Sequence, residues 1–176
     1  MCIRDSSQAD AKYKRYIGNG APKHFLSWSN NLTWKNFDLS VFFRGTFGFD
    51  VFNMRKYGMG LQGCGTDNVL RSAYLEDKNI RTGGGVISSY FLEDGSFIKL
   101  ENVTLGYNFT PKNRKLLDNM RIYLSAKNLF TLTGYSGNDP SIIDVNGIQP
   151  GVDSNSAYPT ATQLSLGVTL LSLIHI

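Results

Sequence analysis

The chain of 176 residues has few of the side chains from which catalytic and metal sites are usually built. Cys2 and His175 lie in terminal hexapeptides that we interpret below as non-native, and the remaining His24 and Cys64 cannot supply a disulfide framework, a zinc site or a nucleophile–histidine pair. Charged residues make up 18% of the sequence and the net charge is +4, values that fit neither a charge-rich disordered chain nor a nucleic-acid-binding protein. We therefore expect no enzyme and no cofactor.

Glycine and aromatic residues are abundant instead, with 18 Gly, 11 Phe and 9 Tyr. The run GMGLQG at 58–63 has the G-x-G-x-x-G spelling of a dinucleotide-binding turn. No clear strand precedes this run and no clear helix opens at it, so we interpret it as a loop. Four side chains could chelate calcium in a surface loop, although EF-hand spacing is absent: Asp139, Asp144, Asn146 and Asp153.

The two ends of the chain differ from the rest. Residues 1–6 read MCIRDS and residues 171–176 read LSLIHI. Opposite strands of one short DNA element, similar to a sequencing-library adapter, can encode both hexapeptides. We therefore expect both to be adapter-derived rather than native, and we expect residues 7–170 to come from a longer gene.

Most of residues 7–170 alternates apolar and polar side chains, the period of a strand with one apolar face. Residues 35–36 make a tight turn that joins the first two runs in a hairpin. Ile98 and Leu100 are out of phase with the residues that follow, which predicts a β-bulge near Glu101. The alternating runs cover 24–34, 37–47, 103–109, 120–130 and 163–170.

The connections between these runs are alternately short and long: 35–36, 48–94, 110–119 and 131–160. A short helix is possible around 68–75. Strands of about ten residues can cross a bilayer when tilted, and a sheet in lipid must close on itself because hydrocarbon satisfies no backbone polar group. The pattern predicts an all-β fold, a meander of about five antiparallel strands from a transmembrane barrel. The alternative is a soluble β-sandwich.

The alternation also predicts which side chains share a face. An Arg or Lys that faced the bilayer midplane would cost about 2–4 kcal/mol, so the charged residues of the strands should face a water-filled lumen. These lumen-facing candidates are Asp38, Arg44, Arg121 and Lys127. The opposite, convex and lipid-facing side should carry Leu39, Val41, Phe43, Leu105, Ile122, Leu124, Leu166 and Val168.

Four stretches of the chain resemble the C-terminal barrel region of SusC/RagA-type TonB-dependent outer-membrane receptors. They lie at 16–53, 94–109, 128–142 and 158–170, in the order of the family. The block NLFTLTGYSGNDPSI at 128–142 is the most specific of them. The chain departs from the family in the GNGAP turn at 18–22 and in the absence of a terminal aromatic residue.

The resemblance implies that the chain holds the last strands, about five, of a plugged barrel of about 22 strands. It implies active import of oligosaccharides or peptides across the outer membrane of a Gram-negative cell, energised through the TonB complex. A SusD-like surface lipoprotein would be the partner, and the plug and TonB box would lie outside this chain. The family topology makes loops 48–94 and 131–160 extracellular and turns 35–36 and 110–119 periplasmic.

The aromatic residues of the long loops are the candidates for substrate contact. Tyr74, Tyr90 and Tyr135 could stack on a sugar ring. The same residues, together with Phe91, suit the alternative function, a soluble β-sheet carbohydrate-binding module. The two functions predict different surroundings for the strands, since the apolar face contacts lipid in a transporter and a second protein layer in a module.

Overall fold

The computed structural model describes residues 15–60, 68–75, 87–111, 119–141, 150–153, 158 and 160–171. The strands, in chain order, are β1 His24–Trp34, β2 Phe37–Phe47, β3 Asp50–Asn53, β4 Leu92–Asp94, β5 Phe97–Phe109, β6 Asn119–Thr133, β7 Val152–Asp153 and β8 Gln163–Leu171. The helices are α1 Met54–Met59, α2 Ser72–Leu75 and a 3-10 turn, Ser89–Phe91. No described helix is long and apolar enough to cross a membrane.

The chain divides into two compact units. We call the first the sheet unit; it comprises His24–Thr46, Phe97–Thr133 and Thr160–Ile176. We call the second the loop unit; it comprises Met1–Lys23, Phe47–Ser96 and Gly134–Pro159.

The sheet unit is built on one five-stranded sheet with the order β1-β2-β5-β6-β8. The pairs β2–β5, β5–β6 and β6–β8 are antiparallel. Each strand pairs with the next long strand of the chain, so the predicted open meander is confirmed. The predicted hairpin is also present, and Lys35 in its turn has a left-handed backbone with φ 53°.

The ladder contains the predicted bulge and a second irregularity that the alternation did not reveal. Phe42 pairs with Asn102 and Phe43 with Leu100, so Glu101 is the extra residue in β5. In β6 the register also shifts, and Asn128 there has φ 53°, a conformation that asparagine tolerates better than most residues. β6 continues to Thr133, so the long connection begins three residues later than predicted.

Residues that pair across neighbouring strands show that the predicted apolar residues share a face of the sheet. One row runs Leu39, Leu105, Leu124 and Leu166 across the four strands β2, β5, β6 and β8. The last three of these leucines are 45%, 50% and 75% exposed. A sandwich would bury this row between two sheets, so the β-sandwich interpretation is wrong for this structure. That the face is convex stays a prediction.

The final strand extends to Leu171, which pairs with Asn119, one residue beyond the predicted end. Residues 1–6 and 172–176 lie outside the described residues, and their adapter origin stays a prediction.

The loop unit contains regular structure that the sequence did not predict. β3 pairs antiparallel with β4 and parallel with β7, so both long connections contribute to one three-stranded sheet. Helix α2 lies within the predicted helical stretch 68–75. Helix α1 ends at Met59 with Gly60 as its C-cap, so the described part of the GMGLQG run terminates a helix rather than opening one. The interpretation of Gly58 and Met59 as loop was therefore wrong, and residues 61–63 lie outside the described residues.

A small core and close backbone contacts hold the loop unit together. Phe49, Val51 and Ala73 are nearly fully buried. The GNG segment at 18–20 joins this core through Asn19, whose carbonyl accepts from the Asp50 backbone N–H at 2.8 Å and whose own N–H donates to the Asp50 carboxylate at 2.9 Å.

Candidate functional site

The loop unit contains a partly open cavity of about 780 Å³. We call it the cationic cavity because the described charged residues that line it are three cations and one acid. Its lining residues are Asn53, Arg55, Lys56, Leu70, Arg71, Ser72, Tyr90, Leu92, Glu93, Gly134 and Ser136. The volume lies within the range typical of small-molecule sites.

Asn53 places two of the cations. It is the last residue of β3 and the N-cap of α1, and its side-chain oxygen accepts from the Lys56 backbone N–H at 2.8 Å. An asparagine cap of this kind satisfies a helical donor that would otherwise lack a partner. It starts the helix directly after the strand, so Arg55 and Lys56 lie in its first turn.

Glu93 joins three segments of the cavity wall. Its carboxylate accepts from the backbone N–H of Ser136 at 2.9 Å, from the Ser136 hydroxyl at 2.8 Å and from Asn53 Nδ2 at 3.3 Å. Lys56 Nζ lies 3.7 Å from the same carboxylate. Because several donors already surround it, Glu93 serves the structure of the wall more than the capture of a ligand.

The cations of the cavity have different surroundings. Lys56 is paired with Glu93 and lies 4.4 Å from the centroid of the Tyr90 ring, within cation–π distance. Arg55 donates from Nη1 to Asn138 Oδ1 at 2.6 Å and is exposed. Arg71 precedes α2 and is also exposed.

The structure separates the three predicted tyrosines. Tyr90 lines the cationic cavity, whereas Tyr74 is 59% exposed on α2 and lies outside the cavity lining. Tyr135 is 6% exposed, and its hydroxyl donates to Asp153 Oδ2 at 2.6 Å. Tyr135 therefore does not present its ring for stacking in this structure. Burial, together with the Asp153 carboxylate, raises the pKa of the Tyr135 hydroxyl and keeps it a donor.

Sequence reasoning missed Arg55, Lys56, Arg71 and Glu93. Their positions are separated by long stretches of chain, and no local spacing marks them as a group. Two of the proposed calcium ligands, Asp139 and Asp153, make separate contacts, with Ser141 and Tyr135. Asp144 and Asn146 lie outside the described residues. Within the described residues, His, Cys, Asp and Glu side chains form no metal-binding group of three or more.

The register of the sheet unit places the four lumen-facing candidates together on the face opposite the leucine row. Asp38 Oδ1 accepts from Asn108 Nδ2 at 3.0 Å and from Arg121 Nε at 3.2 Å, and Arg121 Nη2 contacts Oδ2. This ion pair spans strand β5. Arg44 Nε lies 3.0 Å from Glu101 Oε2 without hydrogen-bond geometry.

Glycine in the central strand lets the Asp38–Arg121 pair form. Asp38 pairs in register with Gly106, which pairs with Tyr123. A Cβ on Gly106 would lie 2.5 Å from Asp38 Oδ1, so any larger residue there would displace the carboxylate. Tyr123 in turn lies over Gly167 of β8, and the Arg121 guanidinium is 5.4 Å from the Tyr123 ring centroid.

The remaining lumen-facing candidate, Lys127, lies in the next polar row. It pairs in register with Asn102 and Gln163 and is exposed. The described part of the polar face thus carries two ion pairs and the exposed Lys127, all of which suit contact with water. Lys99, in register with Arg44 on the same face, is instead buried and donates to Thr160 Oγ1 at 2.8 Å.

The chain is similar to several known proteins. It is 26% identical to TonB-dependent receptor P3 of Formosa agariphila over 178 residues, which cover 89% of this chain and 17% of that protein. It is 28% identical to TonB-dependent receptor SusC of Bacteroides thetaiotaomicron over 154 residues, which cover 82% of this chain and 15% of that protein. No protein-family model matches the chain.

Solved structures give the same result. The RagAB peptide importer in its closed-closed state matches with a TM-score of 0.73 and 25% identity, over 94% of this chain and 19% of that chain. A structure of the RagAB peptide transporter matches with a TM-score of 0.73 and 26% identity. The chain therefore spans less than a fifth of the length of the proteins that it matches.

Proposed function

We propose that this chain, a barrel segment of a SusC/RagA-type TonB-dependent receptor, forms part of the wall and mouth of an outer-membrane nutrient importer. The observation that carries the proposal is the sheet unit, which is apolar and exposed on one face and charged on the other. Soluble monomers seldom expose an apolar patch this continuous, and a barrel in lipid requires one. The soluble carbohydrate-binding module is therefore disfavoured.

We extend the proposal to substrate, energy source and partner. SusC and the RagAB peptide importer are among the proteins that this chain resembles, which supports oligosaccharides or peptides as substrates. The names of the relatives support energy supply through the TonB complex, by parts of the receptor outside this chain. By the same family resemblance, a SusD-like surface lipoprotein is the proposed partner.

A pair of neighbouring substitutions in the full-length receptor tests the orientation of the sheet. Leu124 belongs to the apolar row, and Ser125 lies on the opposite face beside Thr104. Leu124→Arg should cost about 2–4 kcal/mol in lipid and reduce the amount of folded receptor in outer-membrane fractions, as scored by heat-modifiable gel mobility. Ser125→Arg should assemble normally. Equal loss from both, or loss from Ser125→Arg alone, would overturn the proposed function.

The topology has its own test. We propose that loops 48–94 and 131–160 face the cell exterior, and that turns 35–36 and 110–119 face the periplasm. In a receptor with Cys64→Ser, Tyr74→Cys on exposed α2 should react with an impermeant thiol reagent on intact cells. Lys35→Cys should react only after the cells are opened. Reversed labelling would invert the topology.

A further inference from the structure

We propose that the cationic cavity binds a carboxylate group of the imported molecule. This inference rests on the proposed import function and adds to it a chemical class of ligand. The ligand would carry its carboxylate to Arg55 and Arg71 and would lay an apolar or ring portion along the rest of the wall.

The charges of the described lining residues do not cancel. Lys56 and Glu93 form an ion pair with 3.7 Å between Nζ and Oε1, which neutralises one of the three lining cations. Among the described residues that line the cavity Glu93 is the only acid, so Arg55 and Arg71 have no acidic partner there. Because Glu93 is held by Ser136 and Asn53, it cannot swing toward either arginine without losing those hydrogen bonds.

Each of the two arginines carries a group that suits a carboxylate. A guanidinium has five N–H donors in a planar fork and binds carboxylates in a bidentate manner. The contact of Arg55 with the neutral Asn138 side chain involves one terminal nitrogen and places no described acid against its charge. Both arginines are exposed, so a ligand can reach them from solvent.

The other walls indicate what accompanies the carboxylate. Leu70 and Leu92 provide apolar surface, and Ser72 provides a hydroxyl. Tyr90 contributes its ring, over which the Lys56 ammonium already lies. A short acidic peptide or an oligosaccharide that contains uronic acid satisfies all of these surfaces, and both supply the same carboxylate.

The test measures binding to the purified full-length receptor by calorimetry. One arm compares the acetylated and amidated tripeptide Ala-Asp-Ala with Ala-Asn-Ala. The other arm compares tri-galacturonate with the corresponding neutral trisaccharide. We expect at least one acidic probe to bind about tenfold more tightly than its neutral counterpart, and the arm that shows this identifies the source of the carboxylate. Its affinity should fall as salt is raised.

Matched variants assign the effect to the cavity. Arg71→Gln and Arg55→Gln should each lower the affinity for the acidic probe about tenfold, which is the loss expected for a charge-assisted hydrogen bond. Arg71→Lys should recover most of that affinity because it keeps the charge. Lys23→Gln removes an exposed cation of the same unit outside the cavity lining and should leave affinity within about twofold.

Three results would overturn the inference: equal binding of acidic and neutral probes in both arms, unchanged affinity in both arginine variants, or an equal loss in Lys23→Gln. TonB-dependent uptake by the unmodified receptor is scored separately. If the receptor bound the acidic probe but supported no uptake, the proposed import function would be refuted and carboxylate binding by the cationic cavity would stand. If uptake occurred without any preference for carboxylates, only the carboxylate-binding role of the cationic cavity would be refuted.

Discussion

The sheet unit and the loop unit are stabilised in opposite ways. The sheet unit consists of long ladders of consecutive strands, and its apolar side chains are largely exposed: Leu166 is 75% exposed and Leu124 50%. The loop unit has short strands and helices, yet it buries its own core around Phe49, Val51 and Phe91. A lipid environment would cover the first unit, whereas the second covers itself, so the two units should respond differently to the same kind of substitution.

The two units also differ in how far apart along the chain their paired strands lie. In the sheet unit a two-residue turn joins β1 to β2 and one short connection joins β5 to β6, although Phe37 of β2 also pairs with the distant Tyr107 of β5. In the loop unit Phe52 pairs with Val152, far along the chain, and its N–H donates to the Gly151 carbonyl at 2.7 Å. The sheet of the loop unit consists of such non-local strand pairs. Removing one of them should therefore lower the stability of the loop unit more than that of the sheet unit.

The largest effect is expected at Gly151. Its backbone has φ +79°, and a Cβ there would lie 2.5 Å from the Asp50 carbonyl oxygen and still closer to Gly20 Cα. Gly151→Ala should therefore cost about 2–4 kcal/mol of local opening free energy, from left-handed strain and overpacking. Hydrogen exchange of the Phe52 amide measures this opening free energy, since that amide donates to the Gly151 carbonyl.

Gly134→Ala is the matched control, because among the described residues, apart from its chain neighbours, no heavy atom lies within 4 Å of the position that its Cβ would take. Exchange at Phe52 should stay unchanged in that variant. If Gly151→Ala were equally silent, the parallel β3–β7 pair would not be a stable part of the loop unit.

The next effect concerns the sheet unit, at Gly106. An added methyl group would displace the Asp38 carboxylate from Arg121, and overpacking of this kind costs about 1–3 kcal/mol. Gly106→Ala should lower the temperature at which the folded receptor loses its fast gel mobility. Asp38→Ala removes the side chain that would be displaced, so in a double-mutant cycle the cost of Gly106→Ala should shrink in the Asp38→Ala background. An unchanged cost there would show that Asp38 does not require the glycine.

Gly151 and Gly106 have structural roles that the sequence pattern alone does not predict. Alternation in β2, β5, β6 and β8 predicted the strands, the shared faces and the bulge at Glu101, because strand period and hairpin pairing are local properties. It did not predict that Gly106 makes room for a side chain from the neighbouring strand. That requirement follows from register, which two strands determine together.

The candidate site was less predictable than the sheet. Asn53, Glu93 and Ser136 meet through hydrogen bonds between segments 40 and 83 residues apart. A polar loop sequence carries no period that would bring such residues together. For the same reason the sequence did not predict which aromatic candidates would line the cavity. Tyr90 lines it, whereas Tyr135 is buried against Asp153.

The smallest effect is expected for Arg121, and it is the effect that most sharply separates the two units. Arg121 lies on the charged face of the sheet unit, where its partner is Asp38 rather than any lining residue of the cationic cavity. Arg121→Ala leaves that carboxylate without its ion-pair partner and should lower the thermal stability of the full-length receptor. Its affinity for substrate should nevertheless stay within about threefold, below about 0.7 kcal/mol. Arg71→Gln, which removes one guanidinium from the loop unit, is the paired measurement and should lower the affinity for a carboxylate-bearing substrate about tenfold. Calorimetry on both purified variants decides the matter. A large loss of affinity in Arg121→Ala, with little in Arg71→Gln, would move the binding site from the loop unit to the charged face of the sheet.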